Sequence, residues 1–223
     1  EDVRKKITKN TKVIMPVHYA SSSIGMNGVY MLAKEYNLRV IEDAAQSFGS
    51  RRNGKLVGTE GDIICFSFDG IKNITSGEGG AILSTDKQFI QKAQDGRLLG
   101  VEKDSIKRYA NQRSYDFDAH YQGFRYHMSN IMAAIGIVQI DRVEEFRIKR
   151  QNIANKYIQN LNNLEEIDLL SFNYDEILPH IFVIKAKRRD ELKEYLIKHN
   201  IECGVNYKPN HLITKYKDNK SLP

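Results

Sequence analysis

Short apolar runs alternate with amphipathic segments through the first half of the chain, and apolar residues recur every three or four positions in those segments. Alternation of this kind is typical of strand–helix–strand units and of a mainly parallel sheet. The short runs predict four strands, at residues 12–17, 39–42, 62–68 and 81–84. The amphipathic segments predict helices at residues 26–36 and 87–98.

The second half begins with an irregular segment, residues 101–122, that is rich in charge and lacks apolar periodicity. A loop of this length in a compact domain is usually functional. A helix rich in Ala, Ile and Met is predicted at residues 129–141, and its apolar stretch indicates a core or a dimer interface. A charged helix at residues 143–164 follows it and is expected to lead into a smaller domain.

That smaller domain is predicted to contain a β-α-β unit, with a strand at 180–186, a helix at 189–199 and a strand at 201–206. We expect residues 1–145 to form part of a large domain and residues 146–223 to form part of a small C-terminal domain. The predicted fold class is therefore α/β, with a mostly parallel sheet flanked by helices.

The composition is that of a folded globular protein. With 223 residues, of which 41% are apolar, the chain can bury a core without disulfides or metals. Its two cysteines, Cys65 and Cys203, lack the paired spacing of a zinc site, which favours a reducing compartment and a cytoplasmic location. No apolar run approaches the roughly 20 residues of a membrane span, so no membrane partner is expected.

The formal charge of +6 does not indicate a nucleic-acid partner, because the 34 basic residues are interleaved with 28 acidic ones. A mildly basic protein suits a phosphate-bearing small molecule equally well. The chain begins at Glu1 without a methionine or a signal peptide, and we expect it to be a piece of a longer protein.

Polar residues follow the predicted strands at the positions where open α/β sheets bind their ligands. Asp43 ends one strand, with Gln46 shortly after it, and Ser67 ends another, with Lys72 five residues later. Taken alone, Asp43 is more often a helix N-cap, and a loop lysine is normally just solvated. Together, a carboxylate, a hydroxyl and a lysine on consecutive strand ends predict a cradle for a charged aromatic cofactor. Glycines border the lysine loop at Gly70, Gly77, Gly79 and Gly80.

Three separate motifs carry a family resemblance. They are EDAAQSFGS at 42–50, GxxGDIICFSFDGIKNITSGEGGAI at 58–82 and GFRYHMSNIMAAIGIVQ at 123–139. In order and spacing they resemble the DegT/DnrJ/EryC1/StrS sugar aminotransferases, which are pyridoxal-phosphate enzymes of fold type I. The resemblance covers nearly the whole chain, from the PVH segment at His18 to the YKPNHL segment at His211. It implies that the whole enzyme has further segments on both sides of this chain.

The resemblance assigns a role to each residue of the predicted cradle. Lys72 is implied to be the catalytic lysine that forms the internal aldimine with pyridoxal 5'-phosphate, and Asp43 to pair with the pyridine nitrogen. Ser67 is implied to bind the phosphate and Gln46 to contact the side of the ring that carries the phenolic oxygen. In the family, a segment of the neighbouring subunit reaches this site, often through an asparagine at the position that is His127 here. A homodimer with a shared active site is therefore expected.

Three further residues are candidates for the substrate side, namely His18, Arg125 and His211. His18 follows a predicted buried strand and is equally well explained as a structural hydrogen-bonding residue. The remaining histidines, His120, His180 and His199, are predicted to be surface or packing residues. No paired spacing of histidines and cysteines predicts a metal site.

The resemblance implies transfer of an amino group from an amino acid, with L-glutamate as the usual donor, to a nucleotide-linked keto-sugar. Such a reaction serves amino-sugar and surface polysaccharide biosynthesis, including that of lipopolysaccharide. Two alternatives remain open. A pyridoxal-phosphate sugar dehydratase would carry histidine in place of the lysine, so Lys72 speaks against it. A non-enzymatic member or inactive fragment of the same fold is the other.

Overall fold

The computed structural model describes residues 1–101, 110, 118–119 and 121–216. The chain divides into two compact units. The first comprises Glu1–Asn160 and Ser171–Val183, and the second comprises Leu161–Leu170 and Ile184–Pro223. In the described part of the chain no helix is long and apolar enough to cross a membrane.

A four-stranded sheet organises the first unit. Its strands are β1 (Val13–Ile14), β2 (Arg39–Asp43), β5 (Ile63–Ser67) and β6 (Gly80–Ser84), in the order β1-β2-β5-β6. β1 and β5 both run parallel to β2, whereas β6 is antiparallel to β5. The mostly parallel α/β architecture is thus confirmed. A small hairpin of β3 (Arg51–Arg52) and β4 (Lys55–Leu56) lies between β2 and β5 in the chain.

Five α-helices of the first unit are described, namely α1 (Asp2–Lys6), α2 (Met26–Glu35), α3 (Lys87–Gly96), α4 (Asn130–Asp141) and α5 (Val143–Leu161). Two of them begin at a side-chain cap. The Phe89 amide donates to Asp86 Oδ1 at the start of α3, and the Met132 amide donates to Ser129 Oγ at the start of α4. Each cap satisfies an amide that has no partner within its helix.

Side chains along β5 point alternately into the core and to the opposite face of the sheet. Ile64 and Phe66 point into a buried cluster, whereas Cys65 and Ser67 lie on the opposite face and are only partly buried. Strand residues two apart share a face, so this alternation places the Ser67 hydroxyl away from the core. The buried members of the cluster are Ala44, Val57, Ile64, Phe66, Phe68 and Ile74.

The first predicted strand is shorter than expected. The prediction covered residues 12–17, but the strand ends at Ile14, because Pro16 has no amide hydrogen to continue the ladder. Pairing resumes as an isolated bridge between Val17 and Asp43. The irregular segment predicted at 101–122 lies mostly outside the described residues, and so does His120.

The second unit contains β7 (Ile167–Leu169) paired antiparallel with β8 (Ile184–Ala186), followed by α6 (Arg189–Lys198). The predicted β-α-β unit is wrong, because residues 201–206 form no strand. Asn200 adopts a positive φ of 58°, and the Ile201 amide donates to Leu196 O. The chain therefore closes α6 with a turn where a pairing strand was expected.

Candidate active site

A carboxylate and a hydroxyl share one edge of the sheet. Asp43 is paired with Cys65 across the parallel β2 and β5, and Ser67 lies two residues beyond Cys65 on the same face. Both Asp43 and Ser67 are partly buried at the carboxyl ends of their strands. This edge is where open α/β sheets bind ligands, so the structure places both groups at the position the sequence predicts.

The Asp43 carboxylate keeps capacity for a ligand. The Ala45 amide donates to Oδ1 at 3.1 Å, which orients the carboxylate at the strand end. Asp43 is close enough to Cys65 that its negative charge, after burial, raises the pKa of the thiol. The chain after β2 forms turns, so Asp43 does not cap a helix.

Lys72 sits in a tightly bonded loop after β5. Its amide donates to Asp69 O at 3.0 Å, and the Ser76 amide donates to Phe68 O at 2.9 Å across the base of the loop. The lysine is partly buried, and no carboxylate of the described residues forms an ion pair with it. A partly covered amine without a counter-ion is suited to react with a ligand.

Asn73 anchors that loop, and its role was not anticipated from the sequence. Its buried side-chain amide lies 3.0 Å from Gln46 O, 3.0 Å from Phe48 O and 3.1 Å from Leu178 O. Two N–H groups thus serve three carbonyl oxygens from separate parts of the chain. Because Asn73 follows Lys72 directly, these contacts hold the lysine loop against the Asp43–Gln46 turn.

Gln46 is buried beside the same loop. Its Oε1 accepts a hydrogen bond of 2.8 Å from the Ala20 amide, and its backbone oxygen accepts one of 2.5 Å from Ser21 Oγ. The structure therefore brings Gln46 to the Lys72 loop. Its Oε1 is thus bonded to the protein backbone.

His18 lies in the interior, with 1% of its surface exposed. Its Nδ1 lies 2.8 Å from Ser47 Oγ and its Nε2 lies 2.8 Å from Glu42 Oε2. Arg52 Nη1 and the Tyr30 hydroxyl also donate to Glu42, at 2.8 and 2.6 Å. These contacts agree with the structural alternative for His18, since the ring is buried and both of its nitrogens face protein oxygens.

Glu42 is the buried centre of this ionic network. Burial alone would raise the pKa of its carboxyl, but hydrogen bonds from His18, Arg52 and Tyr30 outweigh that effect and lower the pKa below its ordinary value. The only available sequence signal was a second acidic residue next to Asp43 in a strand. Since Glu42 and Asp43 point to opposite faces, one is structural and the other is available to a ligand.

The sequence predicts His180 to be a surface or packing residue, and the structure places it partly buried. Burial, followed by the positive charges of Lys72 and Arg150, lowers the pKa of its ring to about 4. Its Nδ1 is buried and has no hydrogen-bond partner among the described residues. The neighbouring Leu178 shares the Asn73 anchor with the Lys72 loop.

The remaining candidates are exposed or partly exposed. Arg125 and His127 are exposed in the segment before α4, where the rings of Phe124 and Tyr126 stack with centroids 5.1 Å apart. Such exposure leaves both residues accessible to a neighbouring subunit. His211 is partly exposed in a 3-10 turn, Asn210–Leu212, of the second unit.

The groups at the sheet edge fit pyridoxal phosphate by their chemistry. Asp43 offers a negative charge for a protonated pyridine nitrogen, Ser67 offers a hydroxyl for a phosphate oxygen, and Lys72 offers an amine with no ion-pair partner among the described residues. All three belong to the segments at the carboxyl ends of two adjacent strands. Pyridoxal phosphate is the cofactor of the family that these motifs resemble.

Comparison with known proteins supports the same family. The family model of the DegT/DnrJ/EryC1/StrS aminotransferases matches residues 1–223. GDP-perosamine synthase of Escherichia coli O157:H7 is 36% identical over 219 residues, which cover 97% of this chain and 57% of that protein.

Solved structures agree in fold. DesV of S. venezuelae, determined with a ketimine intermediate, is 27% identical with a TM-score of 0.84, covering 99% of this chain and 57% of its own. Spr1654 of Streptococcus pneumoniae, described as a sugar aminotransferase and solved in a PMP-form, is 26% identical with a TM-score of 0.84, covering 96% and 60%. A PLP-form of Spr1654 is also solved. The chain thus spans less than two thirds of these relatives, and it belongs to the DegT/DnrJ/EryC1/StrS aminotransferase family.

Proposed function

We propose that the protein containing this chain is a pyridoxal-phosphate-dependent aminotransferase that transfers an amino group from an amino acid to a nucleotide-linked keto-sugar. The observation that carries the proposal is the grouping of Asp43, Ser67 and Lys72 at one edge of the sheet. Family membership and the name of one relative, GDP-perosamine synthase, support a sugar nucleotide as acceptor.

Each residue of the edge has one task in this proposal. Lys72 would hold the cofactor through its amine and, when free, would act as the general base at the amino-acid carbon. Asp43 would keep the pyridine nitrogen protonated, and Ser67 would donate to the phosphate. When bound, pyridoxal phosphate supplies the electron sink for the amino-acid carbon. Gln46 keeps the turn beside Lys72 in place through its bonds to Ala20 and Ser21.

L-Glutamate is the proposed donor, and the aminated sugar is proposed to enter amino-sugar and lipopolysaccharide biosynthesis. Both assignments follow from the family resemblance. A cytoplasmic location stays a prediction from the cysteine content, and both cysteines are free in the structure.

A homodimer with a shared active site is the proposed assembly. Large apolar side chains of α4 are exposed, among them Ile131 at 74% and Ile137 at 63%. Monomeric proteins rarely leave contiguous apolar patches of this kind uncovered. The exposed Arg125 and His127 directly precede α4, which would bring them to a partner subunit together with the apolar face.

The attachment of the cofactor to Lys72 tests the proposal. We expect the intact protein with pyridoxal phosphate to show a near-visible absorbance band that borohydride bleaches, with the label on the peptide containing Lys72. Lys72→Ala should abolish the label and lower transaminase activity by several orders of magnitude, because the proton shuttle is removed. Lys34→Ala, on an exposed position of α2, is the matched control and should retain both. A label on another lysine would contradict the assignment and favour the non-enzymatic alternative.

A further inference from the structure

Arg150 of α5 is a partly buried guanidinium that contacts backbone carbonyl oxygens. Its Nη1 donates to Pro179 O at 3.0 Å and to His180 O at 3.2 Å. No carboxylate of the described residues forms an ion pair with it, and burial lowers the pKa of the guanidinium. Arginine is rarely buried without a counter-charge, so its surroundings favour an anion that the described residues do not supply.

His180 is bonded to this arginine and lies two residues from a contact with the lysine loop. Its amide donates to Ser21 Oγ at 2.9 Å, and Arg150 holds its carbonyl oxygen. Two residues earlier, Leu178 O accepts from the side chain of Asn73, the residue after Lys72. The backbone around His180 is therefore held in place from three directions, beside the candidate active site.

The ring of His180 completes a cluster of positive or protonatable groups. Lys72 and Arg150 are the charged groups that act on it, and both are cationic. Its buried Nδ1 makes no hydrogen bond within the described residues. An unpaired buried polar atom costs free energy, so an arrangement that keeps one is expected to gain a partner from a ligand or a bound water.

We propose that His180 and Arg150 form a binding subsite for an anionic group of the substrate, next to Lys72. This inference rests on the proposed function and adds to that function the residues that hold the substrate. Two groups share the required chemistry, a carboxylate of the amino donor and the diphosphate of the nucleotide-linked sugar. Both accept hydrogen bonds from a guanidinium and from an imidazole.

Anion binding at this subsite is coupled to a proton. Burial, followed by the positive charges of Lys72 and Arg150, keeps the His180 ring neutral in the free protein, and a bound anion offsets those charges. The protonated ring then becomes more favourable, so binding takes up a proton. Affinity for the anion is therefore expected to rise as the pH is lowered from about 8 to about 5.5.

Equilibrium binding to the intact, cofactor-loaded protein tests the subsite. The probes are glutarate, a dicarboxylate that has no amino group to react, and GDP, a diphosphate without a sugar. We expect His180→Gln and Arg150→Lys to weaken at least one probe about tenfold or more, because each loses a hydrogen bond to a charged group. His180→Gln should also flatten the pH dependence of binding, which loss of packing alone would not do.

Arg142→Gln is the control, since it removes an exposed arginine that pairs with Glu145 at the start of α5. Weakening of glutarate alone identifies the carboxylate, and weakening of GDP alone identifies the diphosphate. If the wild-type protein binds neither probe, or if both variants bind them with unchanged affinity and pH dependence while retaining wild-type circular dichroism, the subsite is overturned. Labelling of Lys72 in the same preparation separates this result from failure of the proposed function.

Discussion

Glu42 and Asp43 are adjacent in the sequence, yet they serve different purposes because β2 directs them to opposite faces. Asp43 remains at the ligand-binding edge. Glu42 is buried among His18, Arg52 and Tyr30, whose hydrogen bonds compensate its charge. Strand geometry alone thus makes one of two similar carboxylates structural and leaves the other available to a ligand.

The buried network makes Glu42 important for stability. Glu42→Gln leaves the Arg52 guanidinium without its counter-charge, and breaking a buried ion pair typically costs about 3–5 kcal/mol of unfolding free energy. Urea denaturation of the intact protein measures this loss of unfolding free energy. Glu35→Gln is the control, because it breaks only the exposed pair with Arg4 and should leave the midpoint nearly unchanged. Equal midpoints for both variants would contradict the assigned role.

The same carboxyl predicts how stability depends on pH. Its pKa is lower in the folded state than the ordinary value of 4.5, so the unfolded chain binds more protons in that range. The stabilisation by Glu42 is complete above that ordinary value and is lost as the pH falls through the folded pKa. Glu42→Gln should therefore show a shallower decline of unfolding free energy below about pH 4.5 than the wild type. Parallel curves would show that the network does not titrate as described.

At the scale of elements, α5 connects the core to the candidate site. Ala154 packs against Tyr174 and Ile177, and Gln151 Nε2 donates to Ile177 O at 2.9 Å. The segment that α5 holds continues directly to His180. Substitutions in α5 that disturb this packing are therefore expected to act on the site as well as on stability.

Ala154→Leu tests that packing. Ala154 is 1% exposed, so three additional carbon atoms have no space, and overpacking of this kind typically costs about 1–3 kcal/mol. Asn155→Leu introduces the same side chain at the next, exposed position of the helix and should change stability little. Chemical denaturation measures the unfolding free energy of both variants. A stable Ala154→Leu protein would mean that this interior adapts readily.

The local pattern of apolar residues predicts most elements of the first unit correctly. The wrong predictions concern segments whose structure depends on a distant partner. The β2, β5 and β6 strands and the α2, α3 and α4 helices lie within a few residues of their predicted bounds. Residues 201–206 have strand-like composition, but the described residues offer them no partner strand. A strand exists only with a neighbour to pair with, and that neighbour is not encoded in the segment itself.

At the scale of the whole molecule, the exposed apolar face of α4 is the main indication of subunit association. The helix is apolar on nearly all sides, and Ile131, Ile137 and Val138 are each more than half exposed. A helix of this kind is normally buried. In the proposed homodimer a second subunit covers it.

Substitution of that face predicts a change of assembly. Ile137→Glu combined with Val138→Glu should weaken subunit association of the intact protein by at least about tenfold, because burying two carboxylates at an interface is unfavourable. Sedimentation at several concentrations measures the equilibrium. Ile153→Glu, at an exposed position of α5, is the control for charge and should leave association unchanged. A dimer unaffected by the double substitution would place the interface elsewhere.

The sequence alone determined the elements of the sheet, because strand and helix periods depend on neighbours a few residues apart. It also determined the family, because the order and spacing of the three motifs can be seen along the chain. It also predicted Asp43 and Ser67, the last residues of two strands, and Lys72, in the loop after β5, as groups of the candidate site. Only the tertiary structure brought Arg150 to the backbone of His180, and the segment before His180 to the Lys72 loop. That proximity depends on contacts such as Asn73 to Leu178, between residues 105 positions apart, and no local pattern encodes a pairing at that distance.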